Sequence, residues 1–214
     1  MVFAYGMECV LMALQSVEKK MATKARFGQT PARTRQLTGV LKKIRLFATD
    51  VDGVLTDGGL YYSDSGEQTK KFNVWDGLGL VLLKKAGLVT AVITMDQTPL
   101  VNVRAAKLGI AEIHQGVQDK LTVLKELSVK HGIRFEEMAY VGDDVPDLSV
   151  LQAVGFSAAP ANAREPVRKK VRYVCKAKGG EGAVREVADL ILAARGLSSM
   201  FTVGKSKPDK AVPL

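Results

Sequence analysis

The chain has 214 residues, of which 47% are apolar, and a formal net charge of +9. This length suits one globular domain with a buried core plus some tail, and no apolar run approaches the roughly 20 residues of a membrane-spanning helix, which argues against a membrane protein. The two cysteines, Cys9 and Cys175, are too far apart for a CxxC metal site or a disulfide framework, which favours a reducing cytoplasm.

The first 43 residues carry most of the net positive charge. They contain eight Lys or Arg against two Glu, whereas residues 44–214 hold 23 basic and 20 acidic residues. Because aromatic side chains are not interleaved with this basic stretch as on a stacking surface, we interpret it as a disordered or partly helical extension rather than a nucleic-acid-binding segment. A transit peptide stays open, while Glu8 within the apolar stretch Val2–Leu14 argues against a signal peptide.

From Ile44 onward, short apolar segments alternate with amphipathic ones, which is the pattern of βα units in a parallel sheet covered by helices. The sequence therefore predicts an α/β, Rossmann-like fold over residues 44–197, followed by a mobile tail over residues 198–214. The predicted strands are Ile44–Thr49, Val89–Thr94, Glu112–His114, Met138–Val141, Gly155–Ser157 and Val171–Val174. The predicted helices are Gly77–Lys85, Thr98–Leu108, Asp119–His131, Asp144–Ala153, Glu165–Lys170 and Gly182–Arg195.

One segment, Gly59–Asn73, interrupts this alternation. It has two β-prone arms on either side of the turn-forming residues Asp64–Gly66, which predicts a β-hairpin. Since it follows the first strand directly, we expect the hairpin to project from the sheet near any ligand bound there.

Polar residues come directly after three of the predicted strands, and ligands of open α/β sheets bind beyond such strand ends. These residues are Asp50 and Asp52 after the first strand, Thr94 after the second, and Gly142, Asp143 and Asp144 after the fourth, with Lys120 at the start of a helix. Clustered carboxylates repel one another unless a hard cation lies among them, and Mg²⁺ prefers one or two carboxylates together with phosphate. The pattern therefore predicts a magnesium site that binds a phosphorylated substrate.

The segments that carry these residues together resemble the haloacid dehalogenase superfamily of phosphatases. Its first motif matches Asp50-x-Asp52-Gly-x-Leu-Thr, its second Thr94, its third Lys120, and its fourth Gly142-Asp143-Asp144-x-x-Asp147. The resemblance extends from about Ile44 to Ala194.

This resemblance implies a role for each residue. Asp50 would be the nucleophile that forms an aspartyl-phosphate, and Asp52 the acid and base. Thr94 and Lys120 would bind the phosphoryl group, while Asp50, the backbone carbonyl of Asp52 and Asp143 would hold Mg²⁺. Asp147 and Asp144 would support the metal and Lys120 without binding the metal, although Asp144 is also placed to be a plain helix N-cap.

The spacing between these motifs bears on how the site is covered. Only 43 residues separate Asp50 from Thr94 and 25 separate Thr94 from Lys120, so neither gap has room for a cap domain. An open site of this kind needs another cover, and a neighbouring subunit would provide it, which predicts a homo-oligomer.

Within the superfamily the chain most resembles the capless 3-deoxy-D-manno-octulosonate 8-phosphate phosphatases, which act in lipopolysaccharide sugar synthesis. The resemblance rests on Asp50–Gly59, Phe72–Gly79, Gln115–Lys120, Gly142–Asp147 and Gly179–Glu186. It implies a cytoplasmic homotetramer with a sugar acid phosphate as substrate and no membrane or nucleic-acid partner.

One position departs from that family. The family keeps an arginine two residues after the second-motif hydroxyl, where this chain has Asp96, and an aspartate cannot replace an arginine that clamps a carboxylate. Asp96 with Lys107 looks more like the relatives that act on nine-carbon, sialic-type sugar acid 9-phosphates, although Lys107 is equally explained as a helix-surface residue. Asp96 is therefore a candidate substrate-binding residue, and the nine-carbon substrate is the alternative.

A different class of function also stays open, namely a catalytically idle relative that serves as a binding subunit. Such a protein is expected to have lost its nucleophile or its acid. Here Asp50, Asp52, Thr94, Lys120 and Asp143 are all present, which favours an active enzyme.

Overall fold

The structure is a computed structural model that describes residues 31–66, 68–110 and 112–197. The chain divides into two compact units, Met1–Thr38 and Gly39–Leu214. The predictions for residues 1–30 of the basic extension and for the tail over residues 198–214 lie outside the described residues. None of the helices in the described ranges is both long and apolar enough to cross a membrane.

Eight strands and seven α-helices follow one another along the described chain. The strands are β1 (Leu46–Thr49), β2 (Tyr61–Tyr62), β3 (Gln68–Thr69), β4 (Val89–Ile93), β5 (Glu112–His114), β6 (Met138–Val141), β7 (Phe156–Ala159) and β8 (Tyr173–Val174). The helices are α1 (Pro31–Lys43), α2 (Val74–Lys85), α3 (Pro99–Leu108), α4 (Lys120–His131), α5 (Leu148–Ala153), α6 (Glu165–Arg168) and α7 (Ala183–Ala194). Short 3-10 turns cover Phe135–Glu137 and Val145–Asp147.

Six strands form one parallel sheet in the order β5-β4-β1-β6-β7-β8. The α/β fold predicted from the sequence is thereby confirmed. β1 lies at the centre, and its last residue, Thr49, pairs with Val92 on one side and Val141 on the other. Because the carboxyl ends of these strands are in register, the segments that follow them meet at one edge of the sheet.

Helices cover both faces of the sheet, which explains why β1, β6 and β7 are buried along their whole length. Leu46 and Ala48 of β1 pack into one apolar cluster with Leu124 and Leu127 of α4. The intervening residue, Phe47, is also buried and points to the opposite face, where α2 packs against α7.

The hairpin after β1 is present, with β2 and β3 pairing antiparallel. Its turn contains Gly66 at a positive φ of 82°, a conformation that glycine adopts without steric cost. Tyr61 and Tyr62 are exposed on the hairpin, and a bridge between Thr56 and Phe72 closes its base.

One helix starts later than predicted. The sequence pattern predicts a helix over Asp144–Ala153, whereas the chain forms a 3-10 turn over Val145–Asp147 before α5 begins at Leu148. The Asp147 carboxylate accepts backbone hydrogen bonds from Asp143 and Asp144, and these bonds hold the tight turn.

Candidate active site

A cavity of about 320 Å³ opens at the carboxyl edge of the sheet. Its walls come from the segments after β1, β4 and β6 and from the first turn of α4. The residues that line it are Asp50, Asp52, Gly53, Gly58, Thr94, Met95, Asp96, Lys120, Asp143, Asp144, Pro146 and Asp147. All of the predicted site residues are therefore brought together, and the lining has six aspartates against one lysine.

Asp50 lies at the base of the cavity, directly after the central strand. Its Oδ1 accepts a hydrogen bond from the Val51 backbone N–H at 2.7 Å, and its Oδ2 lies 3.0 Å from Lys120 Nζ. A carboxylate has about four acceptor positions, so Asp50 keeps two for other partners. The backbone next to it turns sharply at Gly53, where φ is +78° and a Cβ atom would overlap the Asp143 carboxylate.

Asp147 supports the site from underneath. Its Oδ1 accepts hydrogen bonds from Lys120 Nζ at 2.7 Å and from the Tyr140 hydroxyl at 2.8 Å. Its Oδ2 accepts the backbone N–H groups of Asp143 and Asp144 at 3.0 and 3.3 Å. All four acceptor positions are thus occupied, so this buried carboxylate orients its neighbours and has no lone pair left for a metal.

Lys120 is 2% exposed and lies between Asp50 and Asp147. Burial alone would lower the pKa of its ammonium group, but the charges of Asp50 and Asp147 outweigh burial and raise the pKa. Lys120 is therefore a fixed positive charge at the base of the cavity. The Tyr140 hydroxyl is likewise kept protonated, because burial and the charge of Asp147 raise its pKa well above the usual range.

Asp50, Asp143 and Asp147 each place a carboxylate oxygen within 4.8 Å of the others. Burial, followed by the charge of Asp147, raises the pKa of Asp50 to about 6, and burial with the charges of Asp50 and Asp147 raises the pKa of Asp143 to about 7. Crowded carboxylate oxygens of this kind fit a hard divalent cation. Since Asp147 is fully used in hydrogen bonds, Asp50 and Asp143 are the two carboxylates available to bind one.

Asp144 differs from Asp147 although the two belong to one motif. Its side chain is exposed and accepts a hydrogen bond from the Val145 backbone N–H at 2.7 Å, as an N-cap does. Thr94 is buried, and its Oγ1 accepts the Asp96 backbone N–H at 3.1 Å. Its hydroxyl hydrogen can therefore point into the cavity.

Sequence reasoning missed Lys70. This lysine lies at the end of the hairpin, its side chain is 1% exposed, and its Nζ lies 2.7 Å from both carboxylate oxygens of Asp52 and 2.6 Å from Asp96 Oδ2. Burial alone would lower the pKa of Lys70, but its hydrogen bonds to Asp52 and Asp96 raise it. The signal in the sequence for such a lysine was Asp96 itself. Two carboxylates close together repel each other, so Asp96 next to Asp52 requires a cation between the two.

Asp96 has no acceptor position left after these contacts. Its Oδ1 accepts the backbone N–H groups of Gln97 and Thr98, and its Oδ2 accepts the Thr98 hydroxyl and Lys70 Nζ. Lys107, which the sequence associated with Asp96, is exposed on α3. The cation that pairs with Asp96 is therefore Lys70.

The chain is similar in sequence to known hydrolases. A family model described as haloacid dehalogenase-like hydrolase matches residues 93–187. The chain is 44% identical over 155 residues to the 3-deoxy-D-manno-octulosonate 8-phosphate phosphatase of Escherichia coli K12, covering 72% of this chain and 82% of that enzyme.

Two solved structures are similar at the level of the fold. The Moraxella catarrhalis 3-deoxy-D-manno-octulosonate 8-phosphate phosphatase, in complex with a magnesium ion, a phosphate ion and a KDO molecule, gives a TM-score of 0.76 at 44% identity, covering 78% of this chain and 96% of that chain. The cobalt-bound Haemophilus influenzae deoxy-D-mannose-octulosonate 8-phosphate phosphatase gives 0.74 at 42% identity, covering 77% and 96%.

Proposed function

The chain belongs to the family of 3-deoxy-D-manno-octulosonate 8-phosphate phosphatases, and from this membership we propose that it is a magnesium-dependent phosphatase that hydrolyses that ester in lipopolysaccharide sugar synthesis. The observation that carries the proposal is the position of Asp50. Its carboxylate lies at the base of the cavity, 3.0 Å from a buried ammonium group, with Asp52 and Asp143 lining the same cavity.

The proposed reaction has two steps. An Asp50 oxygen attacks phosphorus while the bond from phosphorus to the sugar oxygen breaks, and protonated Asp52 gives its proton to that oxygen. Water then attacks phosphorus of the aspartyl-phosphate, Asp52 takes a proton from the water, and the Asp50 carboxylate is released together with phosphate. Lys120 and Thr94 are placed to hold the phosphoryl oxygens, and such charge stabilisation is a large part of phosphoryl-transfer catalysis.

Asp50 and Asp143, with the backbone carbonyl of Asp52, are the proposed ligands of Mg²⁺. Held there, Mg²⁺ would neutralise charge on these carboxylates and on the phosphoryl group. Asp147 contributes by fixing the backbone N–H groups of Asp143 and Asp144 and the ammonium group of Lys120.

A homotetramer in the cytoplasm is part of the proposal. Several large apolar side chains are exposed on the hairpin and the adjoining start of α2, including Tyr62 at 66%, Val74 at 75% and Trp75 at 64%. An exposed apolar group of this kind is expected at a subunit interface. Among the described residues Lys120 is the one cation that lines the cavity, and it is already paired. We propose that a neighbouring subunit supplies the positive charge for a sugar carboxylate.

The reaction is tested by Mg²⁺-dependent phosphate release from 3-deoxy-D-manno-octulosonate 8-phosphate. Asp50→Asn is expected to abolish release while the circular dichroism spectrum stays unchanged, because the amide is not a nucleophile. Undiminished turnover in this variant would refute the mechanism, and an inactive but folded wild-type protein would favour the idle binding subunit.

A second experiment tests the substrate. Wild-type protein is compared on eight-carbon and nine-carbon sugar acid phosphates and on generic esters. Preference of the wild-type protein for the eight-carbon ester supports the proposal. Preference for a nine-carbon 9-phosphate would replace it with the alternative, which Asp96 motivates.

A further inference from the structure

The contacts of Lys70 support an additional role in the hairpin. We propose that Lys70 is a positioning residue that holds the Asp52 carboxylate in place for proton transfer, and that Asp96 anchors Lys70 rather than binding the sugar. This inference rests on the proposed function, because it requires that Asp52 is the acid and base of the proposed reaction.

The ammonium group of Lys70 is fully used by its carboxylate partners. Lys70 Nζ has three hydrogens, and three carboxylate oxygens lie within 2.7 Å of it, two from Asp52 and one from Asp96. Every donor is therefore used, and the side chain is 1% exposed, so it has neither a free hydrogen nor an open path to a substrate. Lys70 acts on the reaction through Asp52.

Besides Lys70, little holds the Asp52 side chain in place. The Asp52 side chain is 36% exposed at the cavity wall, and its other hydrogen bond comes from the Thr56 hydroxyl at a long 3.4 Å. Without Lys70 this carboxylate can rotate about its side-chain bonds and become hydrated. With Lys70 in place both oxygens are fixed, and Oδ2, which accepts only Lys70 Nζ, keeps one acceptor position for the proton that it transfers.

Asp96 is held in place by the turn that follows it. Four donors fill its four acceptor positions, and three of them, from the Gln97 and Thr98 backbone and the Thr98 hydroxyl, belong to the turn that begins α3. Asp96 is thus fixed to the sheet edge and presents one charge to Lys70. The hairpin that carries Lys70 is thereby tied to the segment that carries Thr94.

The test uses two phosphate esters that differ in their need for an acid. A sugar alkoxide leaves only when it is protonated, whereas the phenolate of p-nitrophenyl phosphate leaves without a proton. The ratio kcat/KM includes only the steps up to release of the alcohol, so the later use of Asp52 as a base does not affect it. Loss of a positioned acid therefore lowers kcat/KM for the sugar ester selectively.

For Lys70→Met we expect kcat/KM to fall about 100-fold on 3-deoxy-D-manno-octulosonate 8-phosphate and less than about fivefold on p-nitrophenyl phosphate. The matched control is Lys71→Met, which removes a neighbouring lysine whose side chain is 57% exposed and pairs with Asp57 at 3.1 Å. We expect the control to change both values less than about twofold. Equal losses on the two esters in Lys70→Met, or no loss on either, would overturn the proposal.

Two further variants complete the test. Lys70→Met leaves the negative charges of Asp52 and Asp96 without their cation. The double variant Lys70→Met/Asp96→Asn removes one of these two charges and is therefore measured as well. We expect it to show the same selective loss of kcat/KM on the sugar ester. Asp96→Asn alone is expected to give a smaller selective loss, about tenfold, with an unchanged KM for the sugar ester. A raised KM with unchanged kcat would instead make Asp96 a substrate ligand and overturn its role as anchor.

Failure of this inference is distinguishable from failure of the proposed function. Asp52→Asn serves as the reference, because it must show the selective loss if Asp52 is the acid. If Asp52→Asn shows it and Lys70→Met does not, the inference about Lys70 fails alone. If Asp52→Asn loses activity equally on both esters, the proposed mechanism fails.

Discussion

Asp147→Asn tests how the support beneath the site is organised. The aspartate accepts four hydrogen bonds, from Lys120, Tyr140 and two backbone N–H groups. An asparagine amide has one oxygen and one NH₂ group, so in either orientation its NH₂ group faces donors. The substitution also removes one of the two carboxylates that pair with Lys120.

Removing one partner of a buried ion pair costs about 3 to 5 kcal/mol, and we expect the lower end, about 3 kcal/mol, because Asp50 remains as a partner of Lys120. Loss of the Asp147 charge also relieves its repulsion of Asp50 and Asp143, which offsets part of this cost in metal-free protein. The full cost should therefore be seen at saturating Mg²⁺, where the cation already neutralises that repulsion.

The assay is guanidinium unfolding followed by circular dichroism, with and without saturating MgCl₂, together with a Mg²⁺ titration. We expect the Mg²⁺ affinity to fall about 10- to 100-fold, because the backbone of Asp143 loses its support. The matched control is Asp144→Asn. The Asp144 side chain caps one exposed turn, and an asparagine caps such a turn equally well, so this variant should lose less than about 0.5 kcal/mol of unfolding free energy. Equal costs for the two variants would refute the distinction between Asp147 and Asp144.

Three further predictions follow from the site. In metal-free protein the raised pKa values of Asp50 and Asp143 favour the fold at low pH, and this contribution is lost as pH rises through about 6 to 7. A fluorimetric Tm should therefore fall between about pH 5 and 7 and level off above it, and MgCl₂ should raise Tm more at the higher pH. Gly53→Ala should weaken Mg²⁺ binding in a calorimetric titration, because its Cβ overlaps Asp143, whereas Gly87→Ala, at a similar φ with open space around it, should leave binding unchanged. Tyr140→Phe leaves Asp147 with three hydrogen-bond donors and should lower the unfolding free energy in urea by about 1 kcal/mol. It should not lower kcat/KM selectively for the sugar ester relative to p-nitrophenyl phosphate.

Much of the site could be predicted from the sequence because its residues follow strand ends directly. Asp50, Thr94 and Asp143 each lie just beyond a buried strand, and the parallel register of β1, β4 and β6 alone brings them together. Local patterns of apolar residues located these strands within a few residues. The convergence of the site is therefore a consequence of short-range sequence and of sheet geometry.

The parts that were missed depend on long-range contacts. Lys70 is 18 positions from Asp52 and 26 from Asp96, and the path of the hairpin, which no local pattern specifies, places it between them. The sequence also does not show which of Asp144 and Asp147 is buried. The 3-10 turn leaves Asp144 exposed and buries Asp147, and that turn is itself held by hydrogen bonds to the Asp147 carboxylate. The sequence accordingly associated Asp96 with Lys107 rather than Lys70.

The proposed reaction depends most on Asp50 as the nucleophile. In the direct measurement the protein turns over 3-deoxy-D-manno-octulosonate 8-phosphate that carries a radiolabelled phosphate, in the presence of Mg²⁺. The reaction is quenched with acid during turnover, and the label is then mapped on peptides of the protein. The account predicts label on the peptide that contains Asp50, released by hydroxylamine as expected of an acyl phosphate. Label on any other residue would contradict it.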